Sequence, residues 1–303
     1  MSAETDFKDF KPLIAAVNAG ESSADGWQIE SVHPRVFRAQ QNDAPVAVKT
    51  YTDGASAERE FAVLTALREF GMNLGPEPLA LHTDEKPLVV MSWLDANPLE
   101  SPPAPDDAQM WNRLMAAMGA SGAMNVMDYS AKVPMRGGGI QNPRDMVNQI
   151  EDMLQVKDIL DDDAPTADRL KALLEKIRAQ VPTEWNMPTK IGLCRRTYDP
   201  ANFLWDGHHL MAVDWEHADW GDMAAEVGLL SAHPAYEEIP SSHWVWFRWE
   251  FARLTHDDDL VPRATIYARL GQVWWAAKLM QNDADKSEKQ RDRYLKRAEK
   301  LFR

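Results

Sequence analysis

The sequence predicts an α+β protein in two parts: a small, strand-rich N-terminal lobe and a larger, mainly helical C-terminal one. Three observations carry this expectation. The segments "GWQIESV", "RVFRAQ" and "APVAVKTY" alternate apolar and polar residues, the period of half-buried strands. One helical stretch, "SAEREFAVLTALREFG", and two further strands, "LALHTDE" and "PLVVMSWL", complete the first part. Beyond the proline-rich "DANPLESPPAPDD", which reads as a linker, almost every segment has helical spacing.

In the first helix Phe61, Leu64, Leu67 and Phe70 form an apolar stripe, with Ser56 expected to cap its start and Gly71 its end. After the linker, Asp106 or Asp107 begins a helix carrying Trp111, Leu114, Met115 and Met118. Helices are expected near 143–160, 166–180, 222–232, 241–254, 262–281 and 284–302, with "DDD" at 161–163 as a solvated loop and cap. One short β-hairpin, 203–213, interrupts them. The expected division is 1–95 and 96–303, with a ligand in the cleft between the lobes.

Composition narrows the function classes. With 303 residues, 45% of them hydrophobic and 26% charged, the chain can bury a sizeable core. A formal charge of −14 argues against nucleic acid as partner, because phosphate backbones demand clustered Lys and Arg. It leaves open a cationic small substrate beside the plainer reading, solubility. The single cysteine, Cys194, allows no internal disulfide, and without a Cys/His cluster a zinc site is not expected. The polar, acidic "MSAETDFKDF" is no signal peptide, and runs such as "KPLVVMSWL" are too short to span a bilayer. The expected location is the cytoplasm, away from membranes.

Chemistry enters at "NFLWDGHHLMAVD", two apolar strands joined through Asp206-Gly207. Asn202 precedes the first strand and Asp214 follows the second. Antiparallel pairing sets them side by side at the open end, on strands about 4.8 Å apart. An amide oxygen and a carboxylate thus converge, a pair suited to Mg²⁺ carried on nucleotide phosphates, or else a turn and a cap. Lys49 projects from its strand among Val46, Ala47 and Val48, and the next helix offers Glu58 and Glu60 as partners.

These residues, in this order, resemble the aminoglycoside phosphotransferase and choline kinase-like family, small-molecule relatives of protein kinases. "DPANFL" is similar to the family's "HPGNFL", and "VDWEHADWGDMAAEVG" to its "IDWEDAGWGDPAYDLA". The resemblance implies a bilobal protein kinase-like fold, a nucleotide-binding N-lobe, and ATP and Mg²⁺ as cofactors. It implies that Lys49 contacts the α/β-phosphates with Glu60 positioning it, that Asn202 and Asp214 hold Mg²⁺, and that the backbone at Ser92, Trp93 and Leu94 meets the adenine. Asp222 is expected to cap the following helix.

The pattern breaks at the catalytic loop. The family's H-G-D-x-x-x-x-N places a carboxylate five residues before the asparagine, to accept the acceptor's proton. Here that position is Thr197, preceded by Arg195 and Arg196, and the nearest carboxylate is Asp199. The arginines are expected on phosphate oxygens or in salt bridges. The turn before "RVFRA" is "HP", without glycine, and His33 reads as a surface residue. Two functions stay open: a small-molecule kinase acting on a hydroxyl, of an amino alcohol or amino sugar in one reading, and a pseudokinase that binds nucleotide or ligand and acts through a partner. In the helical lobe Trp244, Trp246, Phe247, Trp249 and Phe251 are core, or else form an ammonium cage with acids such as Glu216, Asp219, Glu237 and Glu238.

Overall fold

The computed structural model describes residues 10–42, 44–124, 126–137, 139–155, 164–180, 190–280 and 285–301. In chain order the first elements are α1 (Lys11–Ala19), β1 (Ser23–Ala24), β2 (Trp27–His33), β3 (Val36–Gln41), β4 (Ala44–Thr50), α2 (Gly54–Glu69), β5 (Pro78–His82), β6 (Leu88–Ser92) and β7 (Asn97–Pro98). Then come α3 (Ala108–Gly122), α4 (Val126–Tyr129), α5 (Pro143–Leu154), α6 (Ala164–Gln180), β8 (Ile191–Cys194), β9 (Phe203–Trp205), β10 (Leu210–Ala212) and β11 (Asp219–Asp222). The chain closes with α7 (Met223–Ala232), α8 (Ser241–Thr255), α9 (Leu260–Met280) and α10 (Asp285–Leu301). The α+β class is as expected.

Contacts divide the chain into two units. The first comprises 1–100, 127–134 and 195–218; the second 101–126, 135–194 and 219–303. The hairpin, placed by the sequence division in 96–303, groups with the N-terminal residues because β7 pairs with β9 and Leu74 O accepts from Ala212 N at 2.6 Å.

In the first unit six antiparallel strands run in the order β1-β2-β3-β4-β6-β5. The pleat of β4 and β6 sends successive side chains onto two faces. Val46, Val48, Leu88 and Val90 form a core with Phe10, Leu13, Ile14 and Val17 at α1. Lys49, opposite Val89 in register, takes the other face, where α2 packs on β5 and β6. α1, unpredicted, begins with Pro12 in its first turn and ends at Gly20 in the left-handed region (φ 73°).

Two details of α2 correct the sequence reading. Its cap is Asp53, whose carboxylate accepts from Ser56 N at 2.8 Å; Ser56, three residues later, adds its hydroxyl to the same carboxylate at 3.0 Å. The buried face is Ala57, Glu60, Val63, Leu64 and Leu67, while Phe70 is exposed. A glutamate therefore stands where an apolar stripe was expected.

The second unit is helical. Asp107 caps α3 and Asn142 closes a capping box with Asp145 at α5. β11 pairs antiparallel with β8, Asp219 opposite Cys194 and Asp222 opposite Ile191, a ladder the sequence reading missed. α7 and α9 approach closely at Gly228, where a Cβ would stand 2.4 Å from the Tyr267 Cβ. Within the described residues the helices expected at 222–232, 241–254, 262–281 and 284–302 are present with ends shifted by one or two residues. The helix expected at 143–160 ends at Leu154 with Gln155 as its C-cap, and the "DDD" run lies outside the described residues. Among the described residues no helix is long and apolar enough to cross a membrane.

Candidate active site

Lys49 is the hub of the first unit's polar chemistry. β4 is interior to the sheet, so the lysine is 7% exposed and its charge demands partners. Its Nζ donates to Glu60 Oε2 at 2.6 Å and to Asp214 Oδ1 at 2.5 Å, with Glu216 Oε2 at 3.8 Å. Glu60 in turn accepts from the Tyr51 hydroxyl at 2.6 Å and from Trp215 N at 3.2 Å. Its two oxygens are thus fixed from the strand, from α2's own placement and from the segment after β10. Burial alone would lower the Lys49 pKa, but Glu60, Asp214 and Glu216 outweigh it and hold the ammonium above its ordinary value.

Asp214 sits just past β10 at φ 67°, a left-handed conformation that aspartate tolerates better than most residues. Burial pushes its carboxyl up, yet the contact with Lys49 prevails and keeps it below the usual carboxylate range. The hairpin register, Ala212 opposite Phe203, places Asn202 beside it: Asn202 Nδ2 lies 3.4 Å from Asp214 Oδ2. Glu216 is held by the Arg35 fork, at 3.1 Å from Nη2 and 3.4 Å from Nη1. Carboxylate oxygens of Glu60, Asp214 and Glu216 all lie within 4.8 Å of one another. Three carboxylates face two cations, Lys49 and Arg35, so one negative charge remains to attract a hard cation. Glu60 already accepts from three donors and Glu216 from both arms of the Arg35 fork, so Asp214 and Asn202 are the more available oxygen donors, with Glu216 joining them if Arg35 moves away.

The family model for the APH phosphotransferase enzyme family matches residues 28–286, most of the chain. The chain belongs to this family. Solved structures agree on the fold. A provisionally named aminoglycoside phosphotransferase of Ralstonia eutropha superposes with TM-score 0.69 at 13% identity, covering 97% of each chain. An ethanolamine kinase of Plasmodium vivax does so with TM-score 0.65 at 12% identity, over 90% of this chain and 82% of that one. A thermostable mutant of the aminoglycoside phosphotransferase APH(4)-Ia, in a ternary complex with ADP and hygromycin B, gives TM-score 0.63 at 14% identity, over 97% and 98%. A comparison with curated proteins returns no match.

In this member of the APH phosphotransferase family the loop before Asn202 is built differently from the sequence expectation. Arg195 is 6% exposed and turned inward. Its guanidinium donates to the carbonyls of Asn202 at 2.9 Å, Val213 at 3.5 Å and Thr197 at 2.5 Å. Its Cζ stands 3.9 Å from the centre of the Phe203 ring. This is an inward-facing brace across the loop. Arg196 takes φ 63°. Thr197 donates its hydroxyl to the Asp214 carbonyl at 3.2 Å. Asp199 is exposed and caps the short 3₁₀ turn Pro200–Asn202 by accepting from Ala201 N at 3.0 Å.

At the end of β6, Ser92 exchanges bonds with Glu77: its N–H donates to the Glu77 carbonyl at 2.8 Å and its hydroxyl accepts from Glu77 N at 2.9 Å. Trp93 lies under the Arg38 guanidinium at 5.3 Å, and Leu94 is half-buried. The residues weighed as core or as an ammonium cage divide by burial and partner. Trp244, Phe247 and Phe251 are core, Trp249 is 61% exposed, and three of the four acids have other partners. Glu216 holds Arg35, Asp219 accepts from Trp220 N at 2.9 Å, and Glu237 pairs with Arg293 at 2.9 Å.

Sequence reasoning missed Tyr51 and Arg35, and it named Glu216 only among the acids of a possible ammonium cage. Tyr51 follows Lys49 at the strand's own period, which places both on one face. Arg35 is the basic residue of the glycine-free turn, and that substitution was its only signal.

Proposed function

We propose that this chain is an ATP- and Mg²⁺-dependent phosphotransferase acting on a hydroxyl of a small molecule. The observation that carries the reading is Lys49, pinned by Glu60 while also touching Asp214 beside Asn202. A buried lysine held between a helix glutamate and a hairpin aspartate is arranged to grip phosphates next to a cation. In this reading Lys49 holds the α/β-phosphates and Glu60 and Tyr51 keep its ammonium in place. Asp214 and Asn202, with Glu216 nearby, would hold Mg²⁺. When bound, that ion supplies charge neutralisation on the transferred phosphoryl group. With Ser92 N engaged by Glu77, adenine would be met by the backbone at Trp93 and Leu94.

The acceptor proton is the open step. Thr197 cannot take it, because its hydroxyl is not measurably acidic at neutral pH. Asp199 is the nearest carboxylate of the loop, and its cap bond uses Oδ1. Asn caps as well as Asp, so Asp199→Asn keeps the turn and removes only the charge. We expect turnover about 10²-fold lower with nucleotide affinity unchanged, the lower end of what a general base contributes. Equal turnover would reduce Asp199 to a cap. Amino alcohols and aminoglycosides are the first acceptors to assay, since similar structures include an ethanolamine kinase and a complex with hygromycin B.

A second reading, nucleotide binding without turnover and action through a partner, is favoured by one observation: Thr197 stands where a base is expected and is engaged with the Asp214 carbonyl. Thermal melting tests what the two share. ATP with Mg²⁺ at a hundred times its Kd should stabilise the protein by about 2.7 kcal/mol, and ATP without Mg²⁺ by much less. An unchanged melting curve would reject both. Phosphate release or transfer from ATP then separates them.

A further inference from the structure

We propose that Arg35 is the phosphate-binding residue of the β2–β3 turn, and that its side chain exchanges Glu216 for nucleotide phosphate oxygens on binding. The inference rests on the nucleotide-binding reading above and adds to it a residue and a movement.

The turn itself, Pro34–Arg35, joins β2 to β3. Pro34 has no N–H, and neither residue is a glycine that would let the backbone close on an anion. A backbone cradle is therefore not what this turn offers. Its donor is the Arg35 guanidinium, planar and forked, with five N–H groups matched to carboxylate or phosphate. The side chain is 40% exposed, so it is free to reorient. The residue's backbone stays anchored meanwhile, because the Arg35 carbonyl accepts from Thr50 N at 2.9 Å, next to Lys49.

Two cations share one oxygen. Glu216 Oε2 is 3.4 Å from Arg35 Nη1 and 3.8 Å from Lys49 Nζ. The carboxylate bridges the partly exposed cation of the turn and the buried cation of β4, a position that a phosphate group, with more charge, can take. Three carboxylates around Lys49 would otherwise repel a polyphosphate. Moving Arg35 onto the phosphates adds a positive contact and at the same step leaves Glu216 free to face a cation.

Titration calorimetry of the full chain tests this, with adenosine and with ATP plus Mg²⁺ as probes, on the native protein, Arg35→Met and Arg35→Lys. The expected result is an adenosine Kd that is the same in all three. For ATP with Mg²⁺, Kd should rise about ten- to a hundred-fold in Arg35→Met, the size of a lost charge-assisted fork. Arg35→Lys, which keeps the charge and loses the fork, should fall between. In Glu216→Gln, ATP without Mg²⁺ should bind more tightly than to the native protein, since a repelling carboxylate is gone and Arg35 is released. If the native protein binds ATP with Mg²⁺ and Arg35→Met matches it within about twofold, the inference is overturned and Arg35 is only a strut for Glu216. If the native protein binds neither probe, the nucleotide reading itself fails.

Discussion

Asp214→Asn should abolish the Mg²⁺-dependent part of the ATP-induced thermal shift and lower phosphoryl transfer by about 10²–10³-fold, the scale of losing one preorganised electrostatic contact. Asparagine is the informative replacement. It tolerates the positive φ of 67° that position 214 requires, so the backbone need not move. Lys49 keeps Glu60 at 2.6 Å and Glu216 at 3.8 Å, and the resting fold should survive.

The acid limb of the stability curve offers an independent readout. The Asp214 carboxyl is held below its ordinary value by Lys49, so its contribution is fully present above the unfolded pKa of about 3.9. It is lost as pH falls through the lower folded value. The native protein should therefore exceed Asp214→Asn in melting temperature near pH 7, with the gap closing below about pH 4. A variant that retains Mg²⁺-dependent stabilisation would remove Asp214 from the metal site.

Arg263→Met should be the most destabilising substitution in the second unit, by about 3–5 kcal/mol, the cost of leaving a buried charge without its partner. Arg263 is 4% exposed. Its Nε meets Asp222 Oδ2 at 2.9 Å, and its Nη2 meets Asp222 Oδ1 at 3.2 Å and Asp257 Oδ2 at 2.6 Å. Burial would lower the guanidinium's pKa, but its bonds to both aspartates raise it further above its ordinary value. Asp222, 0% exposed, also caps α7 through Ala224 N at 2.9 Å, so the loss would loosen that helix's start. At roughly 2–4 °C per kcal/mol for a unit of this size, melting should fall by about 6–20 °C. Arg263→Lys should recover part of it, because a point charge cannot fork across two carboxylates. A loss under about 1 kcal/mol, the range of surface pairs, would mean that water reaches Asp222.

The parts of this molecule legible in sequence are those with local periodicity. β2 to β4 alternate, β6 is a short apolar run, α2 repeats every three to four residues, and Asp206-Gly207 announces the hairpin that sets Asn202 beside Asp214. The β8–β11 ladder was not legible: two four-residue segments separated by the whole hairpin carry no turn signal between them. α1 was passed over because the residues before it are polar and acidic, although Leu13, Ile14, Ala16 and Val17 already make an apolar face. The contact of Lys49 with Asp214 spans 165 positions, and no periodicity reports it. The resemblance of the surrounding motifs implied only that both residues serve one nucleotide site, not that they touch. Arg195 shows the opposite failure. Its charge suggested a phosphate contact or a salt bridge, while burial beside Phe203 and three carbonyls makes it part of the scaffold. Whether a cation points inward or outward depends on packing that a single sequence does not display.

The Arg195 brace has a consequence for how this chain can change over time. The loop's path is held by a side chain at 195 acting on the backbone carbonyls of residues 197, 202 and 213, and backbone carbonyls do not depend on the residue that bears them. Position 197 contributes only one hydroxyl bond to that path. The side chain there can be exchanged with little effect on the shape around Asn202 and Asp214. A lineage with this loop can exchange a carboxylate and a hydroxyl at 197 without rebuilding the hairpin that sets Asn202 beside Asp214.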